Sequence, residues 1–134
     1  MNARALTSML LALAVPGAGH FYLGRRGRAI AFFCIVVLLF LIGLAVDGSL
    51  YTLAESNGQL LKRLAALGSM GSGLVYVIAN AMGPHGVVTS TTFEYGATFM
   101  LTAGLMNLLL VLDCYDIAVG RKTASDARRS DAAA

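Results

Sequence analysis

Four stretches of this sequence contain no Asp, Glu, Lys or Arg, and each is long enough to cross a lipid bilayer. They cover residues 5–24, 29–46, 64–82 and 95–112. A helix needs about 20 apolar residues to cross the hydrocarbon core, and about 17 when flanking residues help. Only 13% of the 134 residues are charged, against about 25% in an average soluble domain. The sequence therefore predicts a small all-α integral membrane protein with two to four membrane segments, and we assign residues 1–122 to its single transmembrane domain.

Two of these stretches are almost uninterrupted by polar residues. Residues 29–46 contain a single residue outside the hydrophobic set, and residues 95–112 are the next clearest candidate for a span. Thr91 followed by Glu94 forms a capping-box pattern just before the latter stretch. We therefore expect one helix over residues 29–46 and another over residues 92–119, the second being longer than a membrane requires.

The other two stretches, residues 5–24 and 64–82, are interrupted by proline, glycine or serine. In the first, Pro16 removes a backbone donor and crowds the carbonyl group one turn earlier, so this segment is either a kinked span or a half-helix that turns back. In the second, small residues at spacings of three and four let helix backbones approach closely. That pattern predicts a helix packed inside the protein, with a re-entrant loop as the alternative. The residues expected to mediate this packing are Gly68, Ser72 and Gly73, with Gly104 and Asn107 on the fourth segment.

The distribution of basic residues predicts that the C-terminus lies in the cytoplasm, because cytoplasmic loops carry the excess of Lys and Arg. If only the second and fourth segments span, eight basic residues share one side and two lie opposite. If all four segments span, the split is seven to three, and the arginines of residues 25–28 change sides. Residues 123–134 are small and polar, and we expect a disordered cytoplasmic tail there.

The sequence PGAGHFYLG, residues 16–24, is followed by a basic turn and an apolar helix. This order resembles the signature of TM2-domain proteins, in which a glycine-rich turn precedes a hydrophobic helix and an aspartate closes a second helix. Asp113 and Asp116 stand near that second position here. The chain departs from the pattern by a glycine-rich insertion between the two parts and by having no arginine between His20 and Phe21. The resemblance implies a helical hairpin with both ends in the cytoplasm, and it implies no established biochemical activity. The motif residues are Pro16, Gly17, Gly19, His20, Phe21, Tyr22, Leu23 and Gly24.

The arginines after the motif and the two aspartates suggest ion pairs at the ends of neighbouring helices. Asp116 lies five residues before Arg121, and Asp113 lies eight before it. An uncompensated carboxylate at this depth is costly, so each aspartate should face protein, water or a cation. We expect Arg28 and Arg25 to be the partners, with Arg121 next. One alternative is that the arginines only anchor the chain beside the interfacial aromatic residues of the motif; recognition of a lipid headgroup is another.

Residues outside these groups give little indication of chemistry. His20 and His85 have no companion metal ligands in the sequence, and we expect Cys34 and Cys114 to be buried free thiols. The sequence contains no phosphate-binding loop and no HExxH or GxSxG motif. Its basic residues flank membrane segments, so a pI of about 9.1 does not indicate nucleic-acid binding. We expect no enzymatic activity, no metal and no cofactor.

Two functions from different classes fit this pattern. The first is a non-catalytic scaffold or accessory subunit of a larger membrane complex, which packs against a protein partner or a second copy through its glycine-rich helix faces. The second is a small oligomeric transporter or channel lined by Asn107, Asp113 and Asp116. These three residues do not share one helix face, because Asn107 and Asp116 lie about 180° apart around the helix, so we favour the first. We expect the protein in a bacterial inner membrane.

Overall fold

The computed structural model describes residues 3–48, 50, 60–83, 89, 91–121, 129 and 131–133. The regular structure within these residues is helical, and no strand occurs among them. The helices are α1 (Ala3–Ala14), α2 (Ala18–Tyr22), α3 (Arg26–Ala45), α4 (Leu60–Met70), α5 (Leu74–Ala81) and α6 (Phe93–Ala118). The prediction of an all-α membrane protein is confirmed. Most of the predicted tail, residues 123–134, and His85 lie outside the described residues.

Helices α3 and α6 are long and apolar enough to cross a membrane, and α4 with α5 would make a third span if this bent pair is counted as one. The two long helices are antiparallel. Gly43, near the end of α3, contacts Gly96 and Met100, near the beginning of α6. Val36 and Phe40 of α3 pack with Met100 of α6 in the hydrophobic core. The observed bounds lie close to the predicted segments 29–46 and 92–119.

Helices α1 and α2 form a hairpin that enters and leaves the protein at the same end. Arg4, at the beginning of α1, lies beside the last residues of α6, whereas Ala12 reaches Asn107 in the middle of that helix. The chain then turns, and α2 returns along α1, so that Arg25 lines the same cavity as Arg4. Of the two alternatives for the first segment, the structure therefore has the half-helix that turns back at Pro16.

Helices α4 and α5 form a second broken unit. It begins at the end of the protein where α6 begins, opposite to the α1–α2 hairpin. Helix α4 runs beside α6 in the same direction, since Gly68 contacts Leu101 and Gly71 contacts Leu108. Residues 62–70 and 74–81 are bent by 109° relative to each other. The expected continuous helix over residues 64–82 is therefore replaced by two short helices, which form either a broken span or a re-entrant unit. The bend falls at Gly73, whose φ of +64° strongly disfavours any other residue.

The beginning of α6 differs from the capping box predicted from Thr91 and Glu94. Thr92 is the N-cap residue, and no side chain caps the helix with a hydrogen bond. Thr92 has helical dihedral angles, φ −96° and ψ −7°, whereas a capping residue usually has an extended conformation that directs its oxygen to the first amides. Glu94 nevertheless lies in the first turn, where its charge is favourable to the helix dipole.

Candidate functional site

The PGAGHFYLG motif forms α2 and places His20 in the protein interior. Helix α2 ends in a Schellman motif, in which Arg25 N donates to His20 O and Gly24 N donates to Phe21 O. Gly24 has a φ of +79°, which this motif requires of the residue after the cap. The short helix therefore ends abruptly, and His20 is fully buried while Phe21 and Tyr22 on the other side are exposed.

His20 joins two residues of α6 in a buried polar cluster. Its Nε2 atom lies 2.8 Å from Asp113 Oδ2, and its Nδ1 atom lies 3.2 Å from Cys114 Sγ. An ionised carboxylate only accepts hydrogen bonds, so Nε2–H donates to Asp113, and Nδ1 of the neutral ring accepts from the thiol. This assignment of protons satisfies all three side chains with one histidine tautomer.

Small and aromatic neighbours close the cluster. Phe32 of α3 contacts the His20 ring edge to face, with the ring centroids 5.0 Å apart. Gly19 lies so close to α1 and α6 that a Cβ atom there would overlap the Ser8 carbonyl oxygen and lie 2.7 Å from Cys114 Sγ. Only glycine allows this approach, so Gly19 is the residue that permits His20 to reach α6.

The order thiol, imidazole and carboxylate is also the order of a nucleophile, a base and an orienting acid. Catalysis would additionally need space for a substrate at the sulfur. Cys114 is fully buried, and the Gly19 backbone occupies the adjacent space. Among the residues that the structure describes, no group of three His, Cys, Asp or Glu could hold a metal ion. In this arrangement the cluster can fix α2 onto α6.

A second polar contact lies deeper in the protein, at the meeting point of the two broken units. Asn107 Nδ2 donates to Ala12 O of α1 at 3.1 Å and to Gly71 O after α4 at 2.8 Å. Asn107 is fully buried. One amide group therefore holds the tips of both half-helices against α6.

Both half-helices end at this point, which places the negative ends of two helix dipoles together. The Asn107 amide nitrogen compensates part of this charge, because it donates to a carbonyl at each tip. Two acceptors near the tips have no hydrogen-bond partner, namely Asn107 Oδ1 and Ser69 Oγ. The interior is therefore polar at mid-depth, although the residues around it are apolar or small.

Five arginines lie at the end where α3 begins and α6 ends, which we call the basic end: Arg4, Arg25, Arg26, Arg28 and Arg121. Arg4 and Arg25 line a cavity of about 400 Å³ with Leu23 and the end of α6, residues 117–120, and most of its lining is polar. Arg26 lies over the Phe21 ring, 5.8 Å from the centroid.

The ion pairs differ from those expected from the sequence. Among the described residues, a buried hydrogen bond joins His20 to Asp113, and an ion pair joins Arg121 to Asp116 at 3.6 Å between exposed side chains. Neither pair involves Arg28 or Arg25, which were the preferred partners. Arginines were expected because they lie at a depth in the membrane similar to that of the aspartates. The α1–α2 hairpin instead places His20 at the depth of Asp113. Arg28 is exposed on α3.

The residues predicted to mediate helix packing all lie in contacts within the chain. Gly104 contacts the carbonyl oxygen of Gly68, and Gly73 contacts that of Leu13. Ser72 Oγ donates to the Ser69 carbonyl oxygen. These small surfaces are therefore occupied by the protein itself and are not available to a partner.

The cysteines follow the prediction only in part. Cys114 is buried, as expected, and its contact with His20 was not foreseen. Cys34 is exposed on α3, on a face that none of the described helices covers at this position. The cluster had one signal in the sequence: His20 and Asp113 are ionisable residues within eight positions of the basic residues that end their segments.

The comparison with known proteins gives one match. A family profile matches residues 7–123, which include all six helices except the first residues of α1. No curated protein and no solved structure was found to be similar. Because the match covers most of the chain, the protein belongs to DUF6677, a family of unknown function.

Proposed function

We propose that the protein is a non-catalytic integral membrane protein that serves as a structural or accessory subunit of a larger membrane complex. The observation that supports this most directly is the use of its interior polar groups. His20, Asp113 and Cys114 satisfy one another, and Asn107 binds the two half-helix tips. These side chains hold the fold together and leave no space for a substrate.

The outer surface supports a role in assembly. Along α3 and α6 the exposed residues are large and apolar, among them Leu38, Leu41, Leu109 and Leu112. Small residues commonly mediate contacts between membrane helices. In this protein they already pack against other helices of the same chain. A protein partner would therefore contact large apolar side chains. The proposed partner surface is this outer face of α3 and α6, and not the glycine-rich faces.

The native mass of the protein after mild detergent extraction from its own membranes tests this proposal. We expect the tagged chain to run with a larger assembly and to co-purify with one protein at a fixed stoichiometry. A variant with Leu109→Ala and Leu112→Ala should lose this partner, whereas Leu10→Ala on α1 should retain it. Recovery of a monomer from native membranes, with no partner under several mild detergents, would contradict the proposal.

A second candidate is an oligomeric transporter or channel, and one specific observation favours it. Two helix–break–helix units begin at opposite ends and meet in the middle of the protein at Asn107. Broken helices that meet at mid-depth form the substrate and ion sites of many secondary transporters. Against this, Asp113 and Asn107 face the interior, while Asp116 pairs with exposed Arg121, so these three side chains do not form one continuous polar path.

The two candidates predict different behaviour in reconstituted vesicles. Purified protein that forms a homo-oligomer and increases the passage of protons or sodium ions across the vesicle membrane would favour transport. The matched variants are Asp113→Asn, which should abolish such flux, and Asp116→Asn, which should retain it. Absence of flux from an intact oligomer would leave the structural role as the better proposal.

Localisation follows from the same geometry. We propose a bacterial inner membrane with the basic end in the cytoplasm, because cytoplasmic ends carry most basic residues. Five arginines lie at this end: Arg4, Arg25, Arg26, Arg28 and Arg121.

The likeness to TM2-domain proteins is part of this proposal. It is supported by the antiparallel pair of α3 and α6, whose motif-bearing and aspartate-bearing ends lie together.

A further inference from the structure

We infer that the cavity between Arg4 and Arg25 binds the phosphodiester headgroup of an anionic membrane lipid. The inference does not depend on the function proposed above. It starts from two guanidinium groups that belong to different elements, the beginning of α1 and the N-cap of α3. Arg4 and Arg25 stand at opposite ends of the α1–α2 hairpin in the sequence. The hairpin brings them to one cavity.

Within the part of the chain that the structure describes, the ion pairs leave the two arginines of this cavity out. Asp113 is paired with His20, and Asp116 with Arg121, and Arg4 and Arg25 take part in neither of these pairs. The other arginines of the basic end differ in their surroundings, since Arg26 lies over Phe21 and Arg121 over Tyr115. Two positive charges that line one cavity, and that pair with no carboxylate of the described residues, attract an anion.

The cavity has the size and polarity for a headgroup. Its volume is about 400 Å³, and polar groups line most of it. Apart from the two arginines, its lining residues are Leu23, Ile117, Ala118, Val119 and Gly120, which have only backbone polar atoms. The end of a helix leaves carbonyl groups without intrahelical partners, and the hydroxyl groups of a glycerol headgroup can donate to them. Arginine in turn binds phosphate oxygens with parallel hydrogen bonds.

The position of the cavity favours a lipid over a dissolved anion. It lies where both spanning helices reach their basic end, and the exposed aromatic residues Phe21 and Tyr22 directly precede Leu23 of its lining in the chain. Aromatic side chains of this kind mark the headgroup level of a membrane. Leu23 adds an apolar wall next to the polar one. A phosphodiester with acyl chains matches both walls, whereas free phosphate matches one.

Native mass spectrometry of the purified full chain, titrated with phosphatidylglycerol in a mild detergent, tests the inference. We expect one phosphatidylglycerol molecule per chain to bind before further lipids do. The variant with Arg4→Gln and Arg25→Gln should bind it about tenfold more weakly, which corresponds to about 1.4 kcal/mol. The matched control carries Arg26→Gln and Arg28→Gln, which removes the same charge from the same end, and should stay within about twofold of the wild type.

Three results would overturn the inference. Equal losses in the two double variants would show a diffuse attraction to the basic end instead of a site. Competition by millimolar inorganic phosphate at the same stoichiometry would assign the cavity to a dissolved anion. Equal binding of phosphatidylcholine, which lacks both net charge and hydroxyl donors in its headgroup, would exclude selection by the arginines. Thermal unfolding of each variant without added lipid shows that the comparison is made between folded proteins.

Discussion

His20 Nε2 and Asp113 Oδ2 lie 2.8 Å apart although 93 residues separate them in the chain. The histidine is fully buried, and the aspartate side chain is only 16% exposed. This contact joins the hairpin of α1 and α2 to the end of α6. In a membrane protein, a broken segment leaves backbone polar groups without partners in the hydrocarbon unless other contacts hold it against the protein. We therefore regard this pair as the main contact that holds the hairpin against α6.

The first prediction concerns the two aspartates of α6. Asp113→Ala should lower the free energy of unfolding by about 2 kcal/mol, because it removes the carboxylate that accepts a hydrogen bond from a buried imidazole N–H. Asp116→Ala should lower it by less than about 1 kcal/mol, since its pair with Arg121 is exposed. Denaturation of the purified protein by SDS in mixed micelles measures both. Equal losses would show that the buried pair adds nothing beyond a surface pair.

The second prediction concerns the glycine that lets His20 approach. Gly19→Ala should cost about 2 kcal/mol, because the added methyl group overlaps Ser8 and Cys114 and separates α2 from its neighbours. Gly27→Ala is the matched control, since nothing lies within 4 Å of its Cβ position. It should raise stability by about 0.5 kcal/mol, as alanine favours a helix. A stable Gly19→Ala variant with normal packing would contradict the observed approach.

The third prediction concerns the contact between the half-helix tips. Asn107→Ala removes both hydrogen bonds from the side-chain nitrogen and should lower stability by about 1–2 kcal/mol. Thr102→Ala, one turn and a half earlier, removes an exposed hydroxyl bonded only to its own helix and should change stability by less than about 0.5 kcal/mol. The same SDS titration measures both variants. If the two substitutions had equal effects, Asn107 would not hold the tips together.

The fourth prediction uses the two thiols as reporters of packing. In detergent, N-ethylmaleimide should modify Cys34, which is exposed, and should leave Cys114, which is fully buried, unmodified until the protein is denatured. Mass spectrometry should therefore find one modified thiol in the folded protein and two after unfolding. In the Gly19→Ala variant Cys114 should react without denaturant. Rapid modification of Cys114 in the folded wild type would reveal an accessible thiol and reopen the question of catalysis at the cluster.

The sequence predicts α3 and α6 well because their length and hydrophobicity alone determine that they form long helices. It also identifies the interruption at Pro16 for a local reason, the loss of a backbone donor. The direction in which the chain continues after the interruption depends on a distant contact. Both a kinked span and a returning half-helix fit residues 5–24, and His20 with Asp113 selects the second.

The partners of the polar residues were harder to predict for the same reason. Asp113 was expected near Arg28 or Arg25 because charges of opposite sign and similar depth attract. Its observed partner is a histidine brought there by a five-residue helix, whose reversal depends on the close approach of Gly19. The small residues of the third segment were predicted to mediate helix packing, with a protein partner or a second copy as one possible neighbour. Their neighbours in the structure are Leu13 and Gly104 of the same chain.

The fifth prediction concerns topology, and it separates two spanning segments from four. In a background with Cys34→Ala and Cys114→Ala, single cysteines are introduced by Arg26→Cys, Arg121→Cys and Lys62→Cys. Because α1 and α2 turn back at Pro16, Arg26 and Arg121 lie at the same end, whereas α4 begins at the other end. A membrane-impermeant maleimide should therefore modify positions 26 and 121 from one side of sealed vesicles and position 62 from the other. Modification of positions 26 and 121 from opposite sides would show that the first segment crosses the membrane, and the hairpin would then be wrong.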